Sequence, residues 1–108
     1  MLFEFVKQVA RENPDGFTLE LEALELVRVG IVVAYEATQN QFSDEGLQTC
    51  LEHAINHAGY IGGWKNPEGL YQYDSVRIFY DLKMAMKWGR EQNQIAIFDL
   101  TNGKEIFL

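Results

Sequence analysis

Cys50, His53 and His57 recur at i, i+3 and i+7. On a helix of about 100° per residue, this spacing gathers all three within about 60° of one another on one stripe. A thiolate and two neutral imidazoles are good ligands for zinc, but a tetrahedral site needs a fourth. The chain has one cysteine and two histidines in all, and no H-E-x-x-H arrangement supplies the missing arm. The same stripe borders an apolar helix face, where a buried cysteine acts as a small hydrophobe and a histidine bridges core and water. No metal and no cofactor is expected.

Between His57 and Asp81 the chain collects Gly59, Gly62, Gly63, Gly69 and Pro67, together with Trp64 and the tyrosines 60, 71, 73 and 80. Gly59-Tyr60-Ile61-Gly62-Gly63-Trp64 lacks the Gly-Lys-Ser/Thr ending of a phosphate loop and does not open a helix. It reads as a helix C-cap running into a glycine-rich turn. Asn66-Pro67-Glu68-Gly69 then suits a type I turn. The aromatic loop and the polar connector before the second helix are expected to form a ligand pocket from Tyr35, Glu36, Gln39, Asn40, Tyr71, Tyr73 and Asp74, beside Trp64. Catalytic residues are not indicated. Ser43 and Cys50 sit at a cap and within a helix without a triad spacing. Glu36, Asp74, Asp81 and Asp99 each have an ordinary cap, turn or strand-edge role.

A third helix from Leu82 to about Gln92 turns Leu82, Ala85, Met86 and Gly89 inward. Lys83, Lys87 and Arg90 form a basic stripe at i, i+4 and i+7 and take three of the nine basic residues. By helical phase Met84 and Trp88 point outward beside them. An exposed tryptophan flanked by cations has interface composition. Met84, Trp88, Lys83, Lys87, Arg90 and Trp64 are therefore read as a surface for a protein partner or for a second copy of the chain.

These groups need a scaffold, and 108 residues with 47% hydrophobic content suffice for one domain, 1–108, with a single core. No apolar run approaches the roughly 20 residues of a membrane span. The N-terminus lacks the pattern of a signal peptide, and a lone cysteine fits a reducing cytoplasm. A net charge of −7 disfavours direct binding to nucleic acid, whose phosphates require lysine and arginine.

Leu2, Phe5, Val6 and Val9 mark a first helix, stopped by Asn13-Pro14-Asp15-Gly16. Phe17, Leu19 and Leu21 alternate as a strand. Glu20–Val27 is ambiguous between strand and helix; a turn near Glu22–Glu25 and a strand from Leu26 to Glu36 fit best. Ser43 caps a second helix, with Asp44 and Glu45 in its first turn. Tyr71–Tyr80 is a strand, and Asp81 caps the third helix. Asn102-Gly103 predicts a two-residue hairpin between Gln94–Leu100 and Lys104–Leu108, pairing Thr101 with Lys104 and Phe98 with Phe107.

The class is α+β, a single domain with a mixed or antiparallel sheet of about five strands, three helices and a C-terminal β-hairpin. The leading functional expectation is a small acidic, non-catalytic binding or regulatory protein acting through protein contacts. The alternatives are an acidic mimic of nucleic acid that inhibits a DNA-binding protein, and a small ligand-binding domain or enzyme using the Gln39-Asn40 and Tyr60–Asp74 loops.

Overall fold

A computed structural model describes all 108 residues. The N-terminal stripe forms helix α1, Leu2–Glu12, which buries Val6, Val9 and Ala10 but leaves Phe5 facing solvent. Asn13 ends it by donating its amide to the Val9 carbonyl at 2.8 Å. Helix α2, Asp44–Ile55, starts at Ser43, whose hydroxyl accepts from the Gly46 amide. Helix α3, Leu82–Glu91, starts at Asp81, whose carboxylate accepts from the Lys83 amide at 2.9 Å. Both caps fall where side-chain acceptors were anticipated.

The strands are β1 (Gly16–Glu20), β2 (Glu25–Leu26), β3 (Ile31–Ala34), β4 (Tyr60–Lys65), β5 (Tyr71–Phe79), β6 (Ala96–Asp99) and β7 (Lys104–Phe107). They form one sheet in the order β2-β1-β4-β5-β3-β6-β7, every pair antiparallel. The α+β class and three helices stand, but the sheet has seven strands, not about five. One extra strand is β4, which had the look of a glycine-rich loop. Gly63 serves close approach there: a Cβ would lie 2.4 Å from a Phe17 ring carbon and 2.7 Å from one of Tyr71. The other arises because the expected Leu26–Glu36 strand divides. Its first residue, Leu26, ends β2 at the sheet edge, its middle forms β3, and Glu36 enters a 3-10 turn, Glu36–Thr38.

That division constrains the shape of the sheet. β2 and β3 stand four strand positions apart, roughly 19 Å across a flat sheet at about 4.8 Å per strand. Five peptide steps from Leu26 to Ile31 reach only about 18 Å when fully extended. The sheet must curl to let Val27–Gly30 make the crossing.

All three helices cover one face. Val6, Val9, Leu47 and Leu51 pack with Leu19, Ile61 and Tyr73 to form one half of the core. Ala85, with Met86 and Trp88 partly buried, packs on Ile31, Val33, Phe79 and Ile97 to form the other. No helix is long and apolar enough to cross a membrane.

The C-terminal hairpin is present with a different register. Asp99 pairs with Lys104, Phe98 with Glu105 and Ala96 with Phe107, leaving Leu100–Gly103 as a four-residue connection. A two-residue type I′ turn needs positive φ at both central residues, and here only Gly103 has it, at 65°. Two local bonds and one tertiary bond hold the longer loop. The Asp99 carboxylate accepts from the Asn102 backbone and side-chain amides at 3.2 and 2.7 Å, and the Thr101 hydroxyl accepts from the Gly30 amide at 2.9 Å.

Candidate functional site on the open face of the sheet

Side chains alternate along a strand, and β5 divides its chemistry accordingly. Tyr71, Tyr73, Ser75, Arg77 and Phe79 face the helices, while Gln72, Asp74, Val76 and Ile78 face away. No element covers that second face. Thr18, Gly62, Trp64, Val32, Ala34, Ala96 and Phe98 share it with β5, and the curl of the sheet makes it a groove of about 850 Å³. Val27-Arg28, Gln39-Asn40 and Gln94-Ile95 form its rim. The floor is apolar around Val32, Ala34, Val76 and Phe98, and polar around Thr18, Gln72 and Asp74.

Asp74 is the electrostatic centre of this groove. Its cross-strand neighbour on β4 is Gly62, which offers no side chain to it. On its other side β3 has already ended in the 3-10 turn. The indole Nε1 of Trp64 donates to its carboxylate at 3.2 Å. The chain's one ion pair is Lys7–Asp44, so no cation stands within 4 Å of Asp74. Burial pushes the Asp74 carboxyl up from 3.8 to about 6, against the downward pull of the Trp64 hydrogen bond.

The residues expected to form one pocket lie on two sides of the sheet. Gln39, Asn40, Asp74 and Trp64 line the groove. Tyr71 and Tyr73 lie on the helix side, where the Tyr71 hydroxyl donates to the Asn13 carbonyl at 2.8 Å and Tyr73 is core. Tyr35 packs among aromatic rings on that same side. Glu36 is tied to α3's end, accepting from the Asn93 side chain at 2.8 Å. Thr18, Gly62, Val32, Ala34, Val76 and Phe98 were not anticipated. Period-2 alternation through Tyr71–Val76 is the signal that separates Asp74 from the tyrosines.

The α3 surface also differs from its helical-wheel reading. Lys83, Lys87 and Arg90 are exposed, as is Met84 at 55%. Trp88 does not share Met84's outward direction. Its ring packs 4.8 Å from Tyr35 and 5.5 Å from Phe79, because the large indole reaches sideways from the helix flank to cover the sheet. Trp64 lies on the opposite face of the sheet, so the structure does not bring it to the α3 residues.

The Cys50–His53–His57 stripe sits over β5. Cys50 is fully buried, and burial pushes its thiol up to about 12, so it presents no thiolate at neutral pH. The His53 and His57 rings stack face to face at 3.7 Å with 2° between planes, rather than converging on a point. Their Nδ1 atoms are engaged, His53 with the Ser75 hydroxyl at 2.8 Å and His57 with the His53 carbonyl at 2.7 Å.

No protein-family model, curated protein or solved structure matches this chain.

Proposed function

We propose that this protein is a small-molecule-binding domain whose ligand lies on the concave, helix-free face of the sheet. The observation that carries this reading is Asp74, an unpaired carboxylate held by Trp64 at the floor of an 850 Å³ groove. Ligand sites typically span about 300–1,000 Å³, with a few polar groups set in an apolar lining. The chemistry favours an amphiphilic amine, its cation on Asp74 and its body on Val32, Ala34, Val76 and Phe98. Such a cation supplies the partner that the chain withholds from the carboxylate. Binding is favoured over catalysis because Asp74 is the one groove group whose pKa is moved toward neutrality, and a single acid does not make an acid–base pair.

The test uses 4-phenylbutylamine and its neutral isostere 4-phenylbutanol, followed by the Trp64 indole N–H resonance. At pH 7.5 the amine is expected to bind with a dissociation constant on the order of 1 mM, in keeping with a ligand of this size. The alcohol should bind about tenfold more weakly, a typical effect of a charge-assisted hydrogen bond. Affinity for the amine should rise from pH 5 to 7.5 as Asp74 ionises, and Asp74→Asn should erase that rise. Unmoved groove resonances, or equal affinity for amine and alcohol at every pH, would refute the proposal.

A further inference from the structure

The sheet ends differently on its two sides. On one side β2 has two residues, and the Val27 amide just beyond it donates to the Thr18 carbonyl at 2.8 Å. Bonded and non-bonded pairs alternate along an antiparallel ladder. In this register Glu25 and Val27 therefore turn to β1, and Leu26 alone turns its backbone outward. On the other side β7 runs for four residues with no strand beyond it. There the Leu108 amide donates to the Ile95 carbonyl at 2.9 Å. The same alternation turns Lys104 and Ile106 toward β6, and Glu105 and Phe107 away from it.

Glu105 and Phe107 thus hold two amide donors and two carbonyl acceptors toward solvent, with no partner in the chain. Unpaired groups in such a row are a template for a further strand. Native sheets commonly blunt an edge by keeping it very short, as β2 does here, or by placing charge on it. Only Lys104 and Glu105 guard β7. Its other half is apolar, with Ile106 and Leu108 half-buried and Phe107 68% exposed. Helix α3 packs on β3, β5 and β6, inside the edge strand.

We propose that β7 pairs with β7 of a second copy of this chain, antiparallel about a two-fold axis normal to the sheet. Such an axis keeps the helices of both copies on one side, so residues opposite each other share a face. Three centres bring the outward groups together. Centring on Glu105 sets that carboxylate against its own copy, and like charges directly opposite are destabilising. Centring on Phe107 forms one bonded pair, with two hydrogen bonds. Centring on Ile106 pairs Glu105 with the second copy's Phe107, and Phe107 with its Glu105, for four hydrogen bonds. It also sets Ile106 against itself on the helix side, as a non-bonded pair with Cα atoms about 4.5 Å apart. That centre uses every outward group and opposes no like charges. Glu105 lines the groove, so the second copy's Phe107 comes to its rim. Both grooves then open on one side of the joined sheet. A net charge of −7 per chain opposes the approach of two copies, so pairing is weak at low salt and strengthens as salt screens the repulsion. The pairing uses none of the Asp74 chemistry, so either reading can fail alone.

The experiment follows the full chain by sedimentation equilibrium and amide NMR from about 50 µM to about 2 mM, a range suited to a small transient interface. A monomer–dimer equilibrium is expected, with the Glu105 and Phe107 amides shifting and gaining protection from hydrogen exchange as concentration rises. In a mixture of isotope-labelled and unlabelled chains, the two Ile106 α-protons should show an intermolecular contact. Raising salt from about 50 to about 500 mM should tighten the dimer at least threefold. Phe107→Pro removes a donor that β6 does not use, so this variant should melt close to the parent yet associate at least tenfold more weakly. Phe107→Glu sets a carboxylate opposite the second copy's Glu105, whereas Phe107→Lys sets a cation there. At about 500 mM salt the lysine variant should associate at least tenfold more tightly than the glutamate variant. Met84→Ser, on the exposed side of α3, should associate like the parent. A dimer whose β7 signals do not move, or equal association by the lysine and glutamate variants, would overturn the pairing. So would a chain that stays monomeric at 2 mM, which would leave the edge to a strand from another protein.

Discussion

Asp74→Asn should make the protein more stable above about pH 3.8, and by the full amount only where the carboxylate is charged in the fold as well. The Asp74 carboxyl is raised from 3.8 to about 6 in the fold, chiefly by burial. Below pH 3.8 it is protonated in both folded and unfolded chains and contributes nothing to the difference. Between the two values the unfolded chain has released the proton and the folded chain still holds it, so stability falls as pH rises. Above about pH 6 both are ionised and the full penalty stands. A rise from 3.8 to about 6 corresponds to about 3 kcal/mol. The replacing amide must also be desolvated, which leaves a net gain of about 1–3 kcal/mol. The Trp64 indole can still donate to the amide oxygen, so the variant keeps the local geometry. Urea unfolding at pH 8 should move to a midpoint higher by about 1 M, given slopes of about 1–3 kcal/mol per molar for small domains. At pH 3.5 the two proteins should unfold at nearly the same urea concentration. Equal midpoints at pH 8, or an equal gap at both pH values, would show that Asp74 is not a desolvated charge.

Adjacent glycines of β4 should respond differently to the same substitution. Gly63→Ala drives a methyl into the Phe17 and Tyr71 rings at under 3 Å and should cost about 2 kcal/mol or more by overpacking, measured by urea unfolding. Gly62→Ala meets only a Val76 methyl at 3.3 Å and should stay within about 1 kcal/mol of the parent, since alanine also loses less backbone entropy than glycine on folding. Cys50, fully buried with its thiol at about 12, should react with a thiol-specific reagent at pH 8 on the order of a thousandfold more slowly than in denaturing urea, because access requires opening of the core. Rapid labelling of the native chain would contradict that burial.

Local chemistry was legible wherever one segment decides its own structure. Ser43 and Asp81 start helices because their side chains satisfy backbone donors a few residues away. The α1 stripe and the β5 alternation follow from helix and strand periods that need no partner. The same cannot hold for β4, whose glycines look like a turn in one dimension. Phe17 and Tyr71, distant in sequence, lie across the backbone at Gly63 where a side chain would otherwise sit, so glycine fits a strand there. The hairpin register shows the same limit. Asn102-Gly103 favours a tight turn locally, but Gly30, just ahead of β3, donates to Thr101 from 71 residues away and helps hold the longer loop.

The candidate sites lie wholly on the tertiary side of this divide. Alternation places Asp74 opposite Tyr73, but nothing in the sequence says which face the helices leave open. That choice depends on three helices packing together on one side and on a five-step connection that forces the sheet to curl. The His53–His57 spacing is plain from the sequence, whereas Tyr35 and Trp88 join it only because β5 and β3 pair beneath α2 and α3. Periodicity and capping act over a few residues and can be read from the chain. The groove exists because side chains far apart in sequence exclude water together.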